Sequence, residues 1–121
     1  MIKSFTDLKA WQKSHELALE IYKLTGLLPE KERFGITSQI QRAAVSIPSN
    51  IAEGFGRVAV KDKEHFFVIA SGSLYELKSQ LILVRDLGYI DKKQFVRIAD
   101  LANNTHKVIN GLLRAHRGSN V

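Results

Sequence analysis

Apolar residues recur every three to four positions in four separate stretches of this 121-residue chain, and nowhere do they alternate. That spacing places one apolar stripe on each of four helices and leaves no half-buried strand to pair with another, so an all-α domain is expected. The stretches fall at about residues 7–26, 36–56, 62–87 and 92–116. Helices of roughly 20 residues are about 30 Å long, and links of a few residues between them make successive helices antiparallel. The expectation is one up-down-up-down four-helix bundle over residues 1–121.

In the first stretch Leu8, Trp11, His15, Ala18 and Tyr22 form one row and Ala10, Leu17, Ile21 and Leu24 a second, which together make a broad core-facing stripe. Ser4 or Thr6 is positioned to cap it, and Gly26 and Pro29 end it. The spacing makes His15 a core histidine and assigns Trp11 and Tyr22 to packing. The second stretch uses Ile36, Ile40, Ala43, Ala44, Ile47, Ile51 and Phe55, but Pro48 lies inside it. Proline cannot donate to the Ala44 carbonyl, so an interruption or kink is expected near Pro48, with Ser46 or Ser49 available to the freed group. The third stretch, Phe66, Ile69, Ala70, Ser73, Leu74, Leu77, Leu81, Val84 and Leu87, is the longest and most apolar and stops at Gly88. Asp91 and Gln94 form a variant capping box that opens the fourth, which carries Phe95, Ile98, Ala102, Thr105, Ile109 and Leu112 on one side.

The net charge of +6 is concentrated at one end. Residues 1–91 hold 12 basic and 11 acidic side chains, whereas residues 92–121 hold 6 basic and 1 acidic. At about 100° per residue, Lys93, Arg97, Lys107 and Arg114 share a sector of the fourth helix half a turn from its apolar stripe, with Asp100 among them. Such a ridge is either a solvated face or a surface that contacts phosphates. A second polar row, Arg42, Ser46, Ser49, Asn50, Glu53 and Arg57, follows one side of the second helix. It reads either as capping and salt bridges around the proline or as an assembly or RNA-facing surface. Tyr89, beside Gly88, is a candidate surface anchor.

Enzyme and cofactor readings find little support in the sequence. There is no cysteine, which removes disulfides, thiolate metal sites and a thiol nucleophile and fits a reducing, cytoplasmic setting. No Glu-x-x-His pair exists to build a di-iron bundle, and His65, His106 and His116 have no evident partner. Gly54, Gly56 and Ala59 match a dinucleotide fingerprint formally but follow a helix rather than a strand. The N-terminal segment lacks the apolar core of a secretory signal, and no apolar run approaches the ~20 residues of a membrane span. The expectation is therefore no catalytic residue, no metal, no cofactor and no membrane.

The run Glu32-Arg33-Phe34-Gly35-Ile36-Thr37-Ser38-Gln39-Ile40, followed by Arg42-Ala43-Ala44-Val45-Ser46-Ile47-Pro48-Ser49-Asn50-Ile51-Ala52-Glu53-Gly54, resembles the 23S rRNA intervening-sequence proteins, four-helix bundles first noticed as reading frames within bacterial large-subunit ribosomal RNA genes. Phe5, Asp7, Leu8, Trp11 and Gln12 match as well, as do Gly72-Ser73-Leu74-Tyr75-Glu76-Leu77 and Gln80-Leu81, so the likeness spans about residues 5–90. Gln41, where the family often has a second arginine, and Lys78, where an acidic residue is common, depart from it. The resemblance implies a ring-like homo-oligomer, a pentamer, with no established enzyme activity. A protein similar in fold, the accessory variability determinant of diversity-generating retroelements, is a basic ring-forming partner of a reverse transcriptase and its RNA. The combined expectation is a non-enzymatic homo-oligomeric scaffold that binds structured RNA or an RNA-bound protein; the alternative is a protein-interaction or structural module with no nucleic-acid role.

Overall fold

Ser4 organises the start of the chain. Its hydroxyl accepts from the Thr6 amide at 3.2 Å while the Asp7 carboxylate accepts from the Ser4 amide at 3.0 Å. This reciprocal cap closes a separate 3₁₀ turn over Phe5–Asp7, and the long helix begins only after Leu8. The computed structural model describes residues 1–118 and contains α1 (Lys9–Thr25), α2 (Ile36–Gly56), α3 (Val60–Asp86) and α4 (Lys92–Gly118), with no strand among the described residues. A second 3₁₀ turn, Glu30–Glu32, lies in the link between α1 and α2.

Each helix packs on its sequence neighbours, and α4 closes against α1. The α3–α4 contacts run Arg85 with Phe95, Lys78 and Ser71 with His106, and Glu64 with Arg117, rising numbers on one helix meeting falling numbers on the other. Leu17, Ile21, Ile40, Ile47, Ile51, Leu74, Leu77, Leu81, Ile98 and Ile109 are fully buried where the four stripes meet.

The α3–α4 link shows how the sequence sets a boundary. Gly88 takes φ +79°, the left-handed conformation that glycine adopts without strain, and the Tyr89 amide reaches back to the Val84 carbonyl at 3.1 Å. The expected Asp91–Gln94 box then opens α4, with reciprocal bonds of 2.7 and 2.8 Å.

Of the interruption or kink expected near Pro48, the interruption is absent: the helix is continuous from Ile36 to Gly56, with Pro48 buried inside it. Ser46 Oγ lies 2.8 Å from Ser73 Oγ, and Asn50 Nδ2 donates to the Ser46 carbonyl at 2.7 Å, so this part of α2 is tied both to α3 and along its own length. Gly54, a turn and a half later, is buried because α3 comes too close for a side chain. A Cβ there would sit 2.6 Å from Phe67 Cε1 and 3.2 Å from the Lys63 carbonyl. Lys63 then caps the helix end, its ammonium donating to the Phe55 carbonyl at 2.8 Å.

The observed core is narrower than the stripes suggest. Ile69 and Leu87 are exposed, Phe67 rather than Phe66 is buried, and Leu113 rather than Leu112. By length and mean hydropathy α3 reaches the range of a membrane span, although no uninterrupted apolar run in it does. In this fold, however, its Leu74, Leu77, Leu81 and Val84 face the other helices.

Gly54→Ala should destabilise the fold by about 1–3 kcal/mol through overpacking against α3, and Phe67→Leu in the same chain should recover part of that loss. Urea unfolding of the two variants checks both statements.

Candidate functional site

The basic flank of α4 is the first candidate. Lys93, Arg97, Lys107 and Arg114 are all exposed, opposite buried Ile98, Ala102 and Ile109. They are not equivalent. Arg97 reaches across to α1 and pairs with Glu20 at 2.9 Å; the Glu20 side chain is 19% exposed, and this bond holds its carboxyl below the usual carboxylate range. Arg97 is therefore a clamp between α4 and α1, with its charge already matched. Arg117 is similarly bound to Glu64 of α3 at 3.2 Å. Among the described residues Lys92, Lys93, Lys107 and Arg114 form no ion pair, so the uncompensated charge of the final segment rests on these four. Lys92, Lys93, Val96 and Arg97 frame a shallow hollow of about 620 Å³.

The polar row on α2 divides between two faces. Arg42 and Ser46 face α3 and, with Ser73 and Glu76, line a polar hollow of about 220 Å³; Asn50 bonds to Ser46 beside it. Glu53 pairs with Arg57 at 3.4 Å, and the Arg57 guanidinium lies 4.7 Å from the centre of the Phe66 ring. Ser49 turns the other way, into a groove between α1 and α2 that also holds Phe5, Trp11, His15, Tyr22, Val45 and Pro48. This groove is about 430 Å³ and almost wholly apolar.

Two expectations for α1 are corrected there. His15 is exposed, not a core histidine, and stacks on Trp11 with ring centroids 4.7 Å apart. Tyr22 is 50% exposed. Ser14 and Thr25 are buried instead, because the core-facing arc of α1 centres on Leu17 and Ile21 and leaves the Trp11 row on the groove rim.

The buried histidine is His106, for which the sequence offered no partner. It is 5% exposed; Nε2 lies 3.1 Å from Ser71 Oγ and Nδ1 lies 2.6 Å from Lys78 Nζ. An ammonium has only hydrogens to give, so Nδ1 accepts from Lys78 and the ring proton sits on Nε2, facing Ser71. The Tyr75 ring meets the imidazole edge-on at 4.4 Å. Burial, and secondarily the Lys78 charge, lowers the His106 pKa from 6.5; burial also lowers that of Lys78. Tyr89 is tied within the chain: its hydroxyl donates to Glu32 Oε2 at 2.6 Å, joining the two links at that end of the bundle, and its pKa is raised by that bond.

No cluster of three or more His, Asp or Glu side chains among the described residues has metal-binding geometry. The Gly54–Gly56–Ala59 match lies at the end of a helix and its first glycine serves the contact with Phe67, so it has no phosphate-binding geometry.

Residues 6–111 match the model of the 23S rRNA-intervening sequence proteins. The chain belongs to that family. It is also similar to a crystal structure from Bacteroides thetaiotaomicron, described as a protein of unknown function from the S23 ribosomal protein family. The two are 27% identical with a TM-score of 0.80, over 86% of this chain and 97% of that one. No curated protein matches the chain. The family match reaches through most of α4, well past the stretch on which the resemblance rested, and so takes in Lys93, Arg97 and Lys107 as well as His106.

The lowered His106 pKa makes stability pH-dependent in a stated direction. Below pH 6.5 the unfolded chain takes up the imidazole proton before the folded one does, so stability is full above 6.5 and is lost as pH falls toward the lower folded value. Urea midpoints measured from neutral to mildly acid pH should fall for the native chain, and His106→Gln should flatten that part of the profile.

Proposed function

We propose that the protein is a non-enzymatic, homo-oligomeric cytoplasmic scaffold that binds structured RNA or other nucleic acid through phosphate contacts, with little discrimination between bases. The observation that carries this reading is the row of exposed cations on α4, Lys93, Lys107 and Arg114, for which no carboxylate partner exists among the described residues. A surface that merely keeps a protein soluble normally mixes signs, as the outward side of α1 does with Lys13–Glu16 and Lys23–Glu20 pairs, whereas Asp100 is the one acid in the α4 segment.

Assembly rests on a different surface. Along the outside of α3, Val68, Gly72, Tyr75, Ser79 and Leu83 follow one another at helical spacing, and Val68, Tyr75 and Leu83 are 45%, 63% and 47% exposed. The apolar groove between α1 and α2 lies on another side of the molecule. Two unlike apolar patches on one chain favour head-to-tail contact, which closes into a ring when the rotation permits; a pentamer follows the family resemblance. In that arrangement the outward side of α4, opposite buried Ile98 and Ile109, stays open to RNA.

A second reading has its own support. The groove containing Phe5, Trp11, Tyr22 and Val45 would suit an apolar partner chain, and such binding would persist at high salt.

Changing Lys93, Lys107 and Arg114 together to Glu should abolish binding of a structured RNA without altering the helical spectrum. For the native protein, log affinity should fall with log salt by about 0.7–0.9 per phosphate contacted. Arg97→Gln should chiefly lower stability, because it removes the ion pair that ties α4 to Glu20 of α1. RNA affinity unchanged in the triple variant would remove the basis for a nucleic-acid role and favour the protein-binding alternative.

A further inference from the structure

The α3–α4 seam holds a feature that the RNA-binding reading does not use. Lys78 is half-buried, and no carboxylate among the described residues lies within ion-pair distance of it. Its polar partner is the neutral imidazole of His106 at 2.6 Å, and its ammonium also lies 5.5 Å from the Tyr75 ring centre. Beside it is a hollow of about 290 Å³ walled by Leu81, Ile82, Phe95, Ala99 and Asn103.

We propose that Lys78 is a site of covalent acylation, taking a short apolar acyl group from an acyl thioester into the hollow between α3 and α4. The chemistry follows from the neighbours. An amine attacks only when deprotonated, and His106 Nδ1 already accepts the Lys78 hydrogen bond, so it is placed to receive the proton that must leave. The Lys78 nitrogen bonds to the thioester carbonyl carbon and the carbon–sulfur bond breaks. Of the two protons the ammonium loses, one ends on the departing thiolate and the other passes through His106 to solvent. Imidazolium formation on His106 needs no new partner for Nε2, whose proton already faces Ser71.

The product suits the site better than the reactant does. An ammonium loses hydration there without gaining a counter-charge, whereas an amide is neutral and its acyl chain covers Leu81, Ile82 and Phe95. The same reasoning argues against an aldehyde adduct, because a protonated imine keeps the charge. Burial also lowers the Lys78 pKa, which increases the reactive fraction.

The experiment treats the full-length protein with acetyl coenzyme A near neutral pH and follows each lysine by peptide mass spectrometry. Lys78 should be acetylated severalfold faster than exposed Lys61, Lys93 and Lys107. His106→Gln should bring its rate down to theirs while circular dichroism shows the bundle intact, and Lys78→Arg should remove the fast-reacting peptide. Equal rates at Lys78 and the exposed lysines overturn the proposal, as does an excess that survives in folded His106→Gln. If that variant does not fold, the comparison among lysines within the native chain decides alone.

Discussion

Helix α3 carries more apolar surface than one bundle can cover. Between Glu64 and Arg85 its only charged residues are Glu76 and Lys78, and Lys78 turns inward to His106. Leu74, Leu77, Leu81 and Val84 fill the core, yet Val68, Ile69, Tyr75, Ile82 and Leu83 remain on the outside. A helix that is hydrophobic on every side belongs in the interior of something larger. The rest of the molecule is arranged around that demand. α2 comes close enough at Gly54 to exclude a Cβ, α4 contributes a polar seam through His106, and the outer side of α3 stays exposed.

Charge follows a complementary logic. Where basic residues hold the bundle together they are matched: Arg97 by Glu20, Arg117 by Glu64, and Lys63 by the last carbonyls of α2. The unmatched cations lie on the side of α4 opposite its buried Ile98, Ala102 and Ile109. The final segment's positive charge therefore has two uses, bundle closure and an open ridge, and neither composition nor helical periodicity distinguishes them. The distinction comes from acids on α1 and α3, many residues away in sequence.

That separation explains which features could be read directly from the chain. The four helices and the Asp91–Gln94 cap depend on residues three or four apart, so spacing exposes them. Gly54 stood out as part of a familiar motif, but its physical reason is Phe67 on the next helix. His15 was assigned to the core because its row is apolar, whereas the buried arc of α1 proved narrower and left that row beside a groove. His106 lacked a visible partner because Ser71 and Lys78 lie 35 and 28 positions earlier. Pro48 drew attention as a breaker, yet α2 absorbs it in a continuous helix packed on both sides.

The central claim is that the exposed side of α3 is an unfinished interior, completed by other copies of the same chain. Sedimentation equilibrium of the purified protein at micromolar concentration tests it most directly. The account predicts a single species whose mass is a whole multiple of 13.6 kDa, five-fold for the ring, and dissociation when Val68 and Leu83 are changed to Asp. A stable, monodisperse monomer over that concentration range would contradict it.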